Sequence, residues 1–455
     1  MNRPAYSEFI SSDKLSKPER GTLEWLVREE FVSEDDDPQH QHSGATEEAL
    51  CKEDFIAWRD SSRSDYLLVT GSPGQGKSVL SNFVLGHLKG EILQKNTLLP
   101  SKVIYYFCNI KNDELSRTAN SIIRALIVQL CECQPTLFRH IPEEFKNDNR
   151  SFFLEDFDTL CNLFQRMLQD AQYERVYCVI DGLDVYKVRM DDLIFQLTSV
   201  FKPNDQKGPV LKLFCTSRPD KAVLNKWGQL PRKILCCNTE DLDIFIQSRV
   251  SSLGIEFTKQ MRDVLEGSLR KNTGRTFLWL QVVIRRIRMI EYPTLSNIEQ
   301  TIEKSPEDLW DLYQLLLTTA VQGRENALVL AWVVHAQCPL NLKALGDAIA
   351  IGNPSSYKSH EQLSRNVSNL TERLVHKNLG ALLDVFENHV FLIHQSVKDF
   401  FLQKDPLQDS LSGPIPRIFL AKSCMTYLTF EEFGRLENLE INVSLPYLPT
   451  EYVVP

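Results

Sequence analysis

The chain has 455 residues, of which 43% are hydrophobic and 24% charged, and a formal net charge of −9. That balance excludes a wholly disordered chain and leaves material for two to four domains. The acidic charge gives no support to sequence-independent nucleic-acid binding, and no apolar run reaches the length that crosses a bilayer.

The N-terminal stretch "MNRPAYSEFISSDKLSKPERG" lacks the apolar centre of a signal peptide. The eleven cysteines include no CxxC and no zinc spacing. Cys108, Cys178 and Cys215 lie inside apolar runs. Reduced thiols buried in a cytoplasmic protein are the expectation.

Residues 1–20 read as a polar tail. Residues 21–65 read as a helical segment preceding the first strand. "GTLEWLVREEF" sets Leu23, Leu26, Val27 and Phe31 at helical spacing, and "DFIAWRD" resumes the helix after an acidic loop from Val32 to Asp54. His40 and His42 form an HxH in that loop, and a solvated spacer is the stronger reading.

Residues 66–250 alternate between strands and helices. Tyr66–Thr70, "KVIYYFCNI", "RVYCVIDGLDV", "VLKLFCTSRPD" and "RKILCCN" read as strands. "SRTANSIIRALIVQLCECQ", "DFDTLCNLFQRMLQDA" and "MDDLIFQLTSVF" read as helices. About five buried strands predict an α/β fold, a parallel sheet with helices on both faces. An all-helical region follows over 251–320. In 321–405, helix-like segments precede "ALLDVF" and "VFLIH", which flank the turn "ENH"; that is the content of a winged-helix domain. Residues 406–455 read as a C-terminal helical segment. No period of 20–50 residues marks a repeat array.

Gly71-Ser72-Pro73-Gly74-Gln75-Gly76-Lys77-Ser78 matches G-x-x-x-x-G-K-[ST] and is followed by Val79 on the next helix. Glycines let backbone amides curl round a diphosphate, and the helix N-terminus adds free N–H groups and about half a positive charge. Lys77 would reach the β- and γ-phosphates, and Ser78 would offer its hydroxyl to Mg²⁺. Asp181, at the end of "VYCVID", sits where a strand-end carboxylate holds Mg²⁺ directly or through water. Asp184 has the position of a base orienting the attacking water, with a loop carboxylate or helix cap as the alternative. Arg218 in "FCTSRPD" would face the γ-phosphate if its strand neighbours the loop strand. His394 in "VFLIHQSVKDFFL" follows a strand, and on spacing alone is better read as structural.

Together these stretches resemble the NACHT nucleotide-binding domains of the STAND class of P-loop ATPases. The likeness is to the type abundant in filamentous fungi and described as nephrocystin 3-like N-terminal. "GTLEWL", "GSPGQGKSVLSNF", "YYFCN", "VIDGLD", "FCTSRPD", "GRTFLWLQVVIRRI" and "FLIHQSVKDFFL" fall in that family's order. The last part is similar to the winged-helix domain named after GPI inositol-deacylase. No GxSxG elbow is present, so deacylase activity does not follow.

The resemblance implies phosphate and Mg²⁺ at Lys77 and Ser78, a Walker B acid at Asp181 and a sensor at Arg218. It also implies contact between His394 and the β-phosphate of bound ADP. Val185 stands where the family commonly has an acid, which points to slow or absent hydrolysis. Family members usually carry an effector before this region and repeats after it. Neither is read here, so a partial product or a bare switch module acting with partners is expected.

The function expected is an NLR-like signalling switch driven by ATP or ADP with Mg²⁺, with GTP left open. Self-association in the ATP state and a protein partner supplying effector or sensor function go with it. No nucleic acid or membrane is expected as a partner. A turnover ATPase using Asp184, or a partial fragment acting as a scaffold, is the alternative.

Overall fold

The computed structural model describes residues 18–27, 49–94, 99–108, 118–141, 156–185, 190–200, 208–219, 221–227, 232–271, 276–320, 324–336, 338–351, 359–364, 370–404 and 417–430. The readings made of the polar tail as far as residue 17, of most of the acidic loop with His40 and His42, and of the chain after 430 fall outside these residues. The chain groups into two compact units. One is Met1–Tyr313 with His394–Ser396, and the other is Gln314–Ile393 with Val397–Pro455.

The first unit is built on β1 (Asp65–Thr70), β2 (Lys102–Phe107), β3 (Arg175–Asp181), β4 (Val210–Ser217) and β5 (Arg232–Ile234). They form one sheet in the order β2-β3-β4-β1-β5, and every pairing is parallel. The expected five-stranded parallel sheet is therefore present. Both faces are dry because successive side chains point to opposite sides. Leu68, Ile104 and Leu213 join one apolar cluster with Ile122, Leu126 and Phe164. Leu67, Val69 and Phe214 join another with Phe55, Trp58 and Val84.

The helices of those layers are α1 (Lys52–Asp60), α2 (Lys77–Gln94), α3 (Ala119–Cys133), α4 (Phe157–Gln169), α5 (Met190–Val200) and α6 (Lys221–Trp227). Then come α7 (Thr239–Ser251), α8 (Lys259–Arg270), α9 (Phe277–Arg288), α10 (Leu295–Glu303) and α11 (Leu309–Ala320). Their starts are written locally. Asn238, Thr258, Thr276 and Thr294 cap α7 to α10, each side chain accepting from a first-turn N–H, worth about 1 kcal/mol apiece.

Over residues 21–27, the described part of "GTLEWLVREEF", the chain forms turns and a short 3-10 helix, Glu24–Leu26, where its spacing suggested an α-helix; residues 28–31 lie outside the described residues. Tertiary contacts decide the shape of this stretch. The buried Asp241 carboxylate accepts Leu23 N at 2.9 Å and Trp25 Nε1 at 2.9 Å. Leu23 is held at φ 63, which a branched residue avoids when free. Glu19 adds an ion pair to Arg249 at 2.6 Å. Replacing Asp241 by Ala leaves two donors without this acceptor and is expected to cost about 3 kcal/mol. Faster tryptic cleavage after Arg20 would report the release. An unchanged cleavage rate would show that packing alone holds the segment.

The second unit contains α12 (Arg324–His335), α13 (Leu342–Ile351), α14 (His360–Ser364) and α15 (Leu370–Arg373). Its strands β6 (Leu340–Asn341), β7 (Leu383–Phe386) and β8 (His389–Leu392) form an antiparallel sheet in the order β6-β8-β7. The hairpin turns on Glu387 and Asn388, at φ 47 and 64, as a two-residue turn between strands requires. The hairpin matches the sequence reading; β6, only two residues long, had no sequence signal. The described chain ends with α16 (Gln395–Lys404) and α17 (Arg417–Leu428). No helix among the described residues is long and apolar enough to cross a membrane.

Candidate functional site

The loop Gly71–Gly76 joins β1 to α2. Thr70 lies opposite Ser217 in the β1–β4 register, and Gly71 N donates to the Ser217 carbonyl at 3.1 Å. Gly74 and Gly76 take φ of 82 and 89, which turns the chain so that α2 begins at Lys77. The first N–H groups of that helix have no partner within the helix and open towards the loop.

Lys77 Nζ donates to the Gly71 carbonyl at 2.6 Å and to the Ser72 carbonyl at 3.0 Å. Ser72 N donates to Gln75 Oε1 at 2.5 Å. Burial pushes the Lys77 ammonium down to about 8; Asp184 and Asp181 oppose the shift and Arg218 adds to it. An ammonium held in this way, with its nearby carboxylates partly committed elsewhere, gains from a polyanion.

Asp181 ends β3 and is only 4% exposed, its carboxylate reached by side chains of α2 and β4. Oδ1 receives the Thr216 hydroxyl at 2.6 Å and lies 2.8 Å from the Ser81 hydroxyl. Burial raises its pKa, while hydrogen bonds from Ser78, Thr216 and Ser81 and the Lys77 charge oppose the rise. Ser78 is exposed at the start of α2, with Val79 beside it half-buried. A carboxylate and a hydroxyl in contact are hard oxygen donors of the kind Mg²⁺ takes, and a divalent cation there would favour the ionised carboxylate. These residues fit the ion.

Asp184 sits in the 3-10 turn Leu183–Val185 after Gly182. It takes Arg218 N on Oδ1 at 2.9 Å and pairs with Arg218 Nε through Oδ2 at 3.1 Å. Both groups are largely sheltered, with side-chain exposures of 10% and 25% for Asp184 and Arg218. β4 does neighbour β1, which was the condition for Arg218 to face the loop. The structure also shows that each of these two groups engages the other.

His394 is grouped with the first unit. Its Nδ1 lies 2.8 Å from Ser396 Oγ and accepts Ser396 N at 3.1 Å. Burial first, then the charges of Arg218 and Lys77, push it down to about 3, so the ring is neutral at physiological pH.

Lys77, Ser78, Asp181, Asp184, Arg218 and His394, scattered over more than 300 residues of sequence, thus act on one another in one place. Sequence reasoning missed five contributing residues. Ser81 is one helical turn after Lys77, and its role depends on where β3 ends. Thr216 becomes a partner of Asp181 only because β4 lies beside β3. Thr276, Phe277 and Leu278, at the start of α9, pack on the loop itself: Leu278 N donates to the Gly74 carbonyl at 3.4 Å, and a Cβ on Gly76 would touch the Phe277 ring at 3.6 Å.

Comparison with known proteins agrees with the motifs. Residues 44–218 match the family model described as Nephrocystin 3, N-terminal. The chain is 24% identical over 371 residues to the vegetative incompatibility protein HET-E-1 of Podospora anserina, covering 76% of this chain and 25% of that protein. The chain thus spans a quarter of the length of this curated relative. Among solved structures, the Aeropyrum pernix Orc1 protein in complex with DNA matches 77% of this chain and 89% of its own, at 12% identity and a TM-score of 0.35. A RuvB mutant of Thermotoga maritima matches 76% and 90%, at 11% identity and a TM-score of 0.27. The likeness to the nephrocystin 3 N-terminal family read from the motifs is thus found independently over the first strand, the loop and the strands that carry Asp181 and Arg218.

Proposed function

We propose that this NACHT-like chain, with the nephrocystin 3 N-terminal likeness as premise, is a nucleotide-dependent switch that holds ATP or ADP with Mg²⁺ and changes its assembly state with the nucleotide. Gly71 to Val79 would cradle the phosphates, Lys77 would neutralise them, and Ser78 with Asp181 would hold the metal. Arg218 would register the γ-phosphate and His394 the β-phosphate of ADP.

The observation that carries this reading is the pairing of Asp184 with Arg218. A carboxylate with both oxygens committed to a guanidinium and a backbone N–H is a poor acceptor for a proton from water. A γ-phosphate would compete with Asp184 for the Arg218 guanidinium, which would convert the presence of that phosphate into a local rearrangement. A few kcal/mol of differential binding between two shapes is enough for such a switch. The second unit's helices and three-stranded antiparallel sheet support the winged-helix reading. The buried thiols Cys178 and Cys215 fit cytoplasmic residence, and partners for self-association and signalling belong to the same proposal.

The test is mass spectrometry of the nucleotide that co-purifies with the chain, with light scattering before and after exchange into ATP with Mg²⁺. Retained ADP on a monomer that assembles with ATP is the expected result. Steady phosphate release well above an Asp181→Ala/Asp184→Ala control would favour turnover instead. A chain that holds no nucleotide would end both readings and leave a scaffold.

A further inference from the structure

The surroundings of His394 contain a hydrogen-bond chain that has a single consistent direction. Ser396 Oγ lies 2.8 Å from His394 Nδ1 and 2.8 Å from the Tyr313 hydroxyl. Ser396 and Tyr313 are each about 1% exposed. The backbone supplies the direction. Ser396 N can only donate, and it points at His394 Nδ1 at 3.1 Å, so Nδ1 carries no proton. The Ser396 hydroxyl must then donate to Nδ1 as well. Having spent its one proton, it accepts from Tyr313. The order is Tyr313 O–H to Ser396 Oγ–H to His394 Nδ1, which leaves the ring proton on Nε2.

We propose that Ser396 and Tyr313 are positioning residues that hold His394 as a neutral imidazole protonated at Nε2, fixing that N–H as a directed donor for an anionic oxygen of a nucleoside diphosphate. The proposal rests on the reading of the site as an ADP/ATP switch. It adds the reason that a neutral ring serves there. Lys77 and Arg218 already bring positive charge to the site, and their influence on His394 disfavours a third cation. A neutral donor with one orientation discriminates by geometry, because its hydrogen bond forms only when an acceptor stands on its line. Such a group suits a choice between two anions better than a further charge, which would attract both.

The experiment uses the full chain with nitrogen-15 histidine, the His394 resonances being assigned as those missing from His394→Ala. The nucleotide-free wild type is expected to show His394 neutral and protonated at Nε2 at pH 7. ADP affinity is expected to fall about tenfold in Ser396→Ala and about threefold in Tyr313→Phe, with ATP affinity unchanged, the size expected for losing one neutral hydrogen bond. Ser396→Thr keeps the hydroxyl and is expected to recover ADP affinity, which separates positioning from a packing defect. Combining Ser396→Ala with His394→Ala is expected to add nothing to His394→Ala alone.

A wild-type ring protonated at Nδ1, or charged at pH 7, overturns the proposal. So does a Ser396→Ala variant that binds ADP like wild type when His394→Ala does not. If His394→Ala itself leaves ADP affinity unchanged, the nucleotide role falls. A wild-type ring still protonated at Nε2 would then locate the failure in the ADP contact and not in the hydrogen-bond chain.

Discussion

Lys77→Ala is expected to lower the affinity for ADP and for ATP with Mg²⁺ by a factor of about 100 or more. The ammonium would exchange its contacts to the Gly71 and Ser72 carbonyls for charge-assisted hydrogen bonds to phosphate, each worth roughly 1.5–3 kcal/mol. Its contacts with the protein are local to the loop, so the variant is expected to fold. Calorimetric titration measures the affinity, and a thermal melt confirms the fold. Equal affinity in the two proteins would remove this loop from nucleotide binding.

The same residue gives a pH dependence of defined sign. Lys77 in the free protein loses its proton near 8, against an ordinary value of 10.5. A bound polyphosphate holds that proton, so binding takes up a proton above pH 8. Affinity is therefore expected to be flat with respect to this group below pH 8 and to fall as pH rises beyond it. The unliganded fold behaves oppositely. Because its Lys77 pKa is depressed, the unfolded chain binds more protons between 8 and 10.5. The burden of the buried ammonium is full below 8 and is relieved as pH climbs through that window. Lys77→Ala should show neither dependence.

Gly74→Ala and Gly86→Ala are expected to move stability in opposite directions, although both add one methyl group near the same loop and helix. At Gly74 the backbone has φ 82, and a Cβ would collide with the Leu278 Cβ and stand 2.9 Å from Thr276 Oγ1. The left-handed conformation costs an L-residue roughly 1–2 kcal/mol, and displacing the start of α9 adds a similar amount. A total near 3 kcal/mol is expected, together with weaker nucleotide binding because the loop must move. Gly86 lies within α2, and beyond its own helix backbone no atom comes within 4 Å of where a Cβ would stand. Ala there is expected to gain about 1 kcal/mol from helix propensity alone. Scanning calorimetry of the two variants checks the contrast. A Gly74→Ala melt at or above the wild-type temperature would show that the loop and α9 yield to each other freely.

The candidate site was legible in the sequence to the extent that its parts are local. Gly71 to Ser78 lie on one short segment, and the types that hold phosphate are forced by backbone curvature and charge. Asp181 follows a buried run and so had to sit at a strand end. The alternation of strands and helices announced the parallel sheet, and "ENH" announced the hairpin. Over residues 21–27 the helical periodicity was overridden because Asp241, more than 200 residues later, draws Leu23 and Trp25 into a turn. The extended reading of "VIDGLDV" stopped short because Gly182, at φ 79, ends β3 and starts the turn that carries Asp184.

The distinction is one of range. Strand and helix identity, the phosphate loop and the helix caps depend on neighbours within a few residues, and a linear reading contains all of those neighbours. The strand order β2-β3-β4-β1-β5 is what brings Thr216 to Asp181, Ser217 to Gly71 and Arg218 to Asp184, and strand order depends on which apolar faces pack together across the whole unit. The contact of α9 with Gly74, and the commitment of Asp184 to Arg218 in place of an open position beside the loop, follow from that packing. The residue types of the candidate phosphate loop could be read along the chain; the pairing of Asp184 with Arg218 and of Asp181 with Thr216 was decided by the sheet.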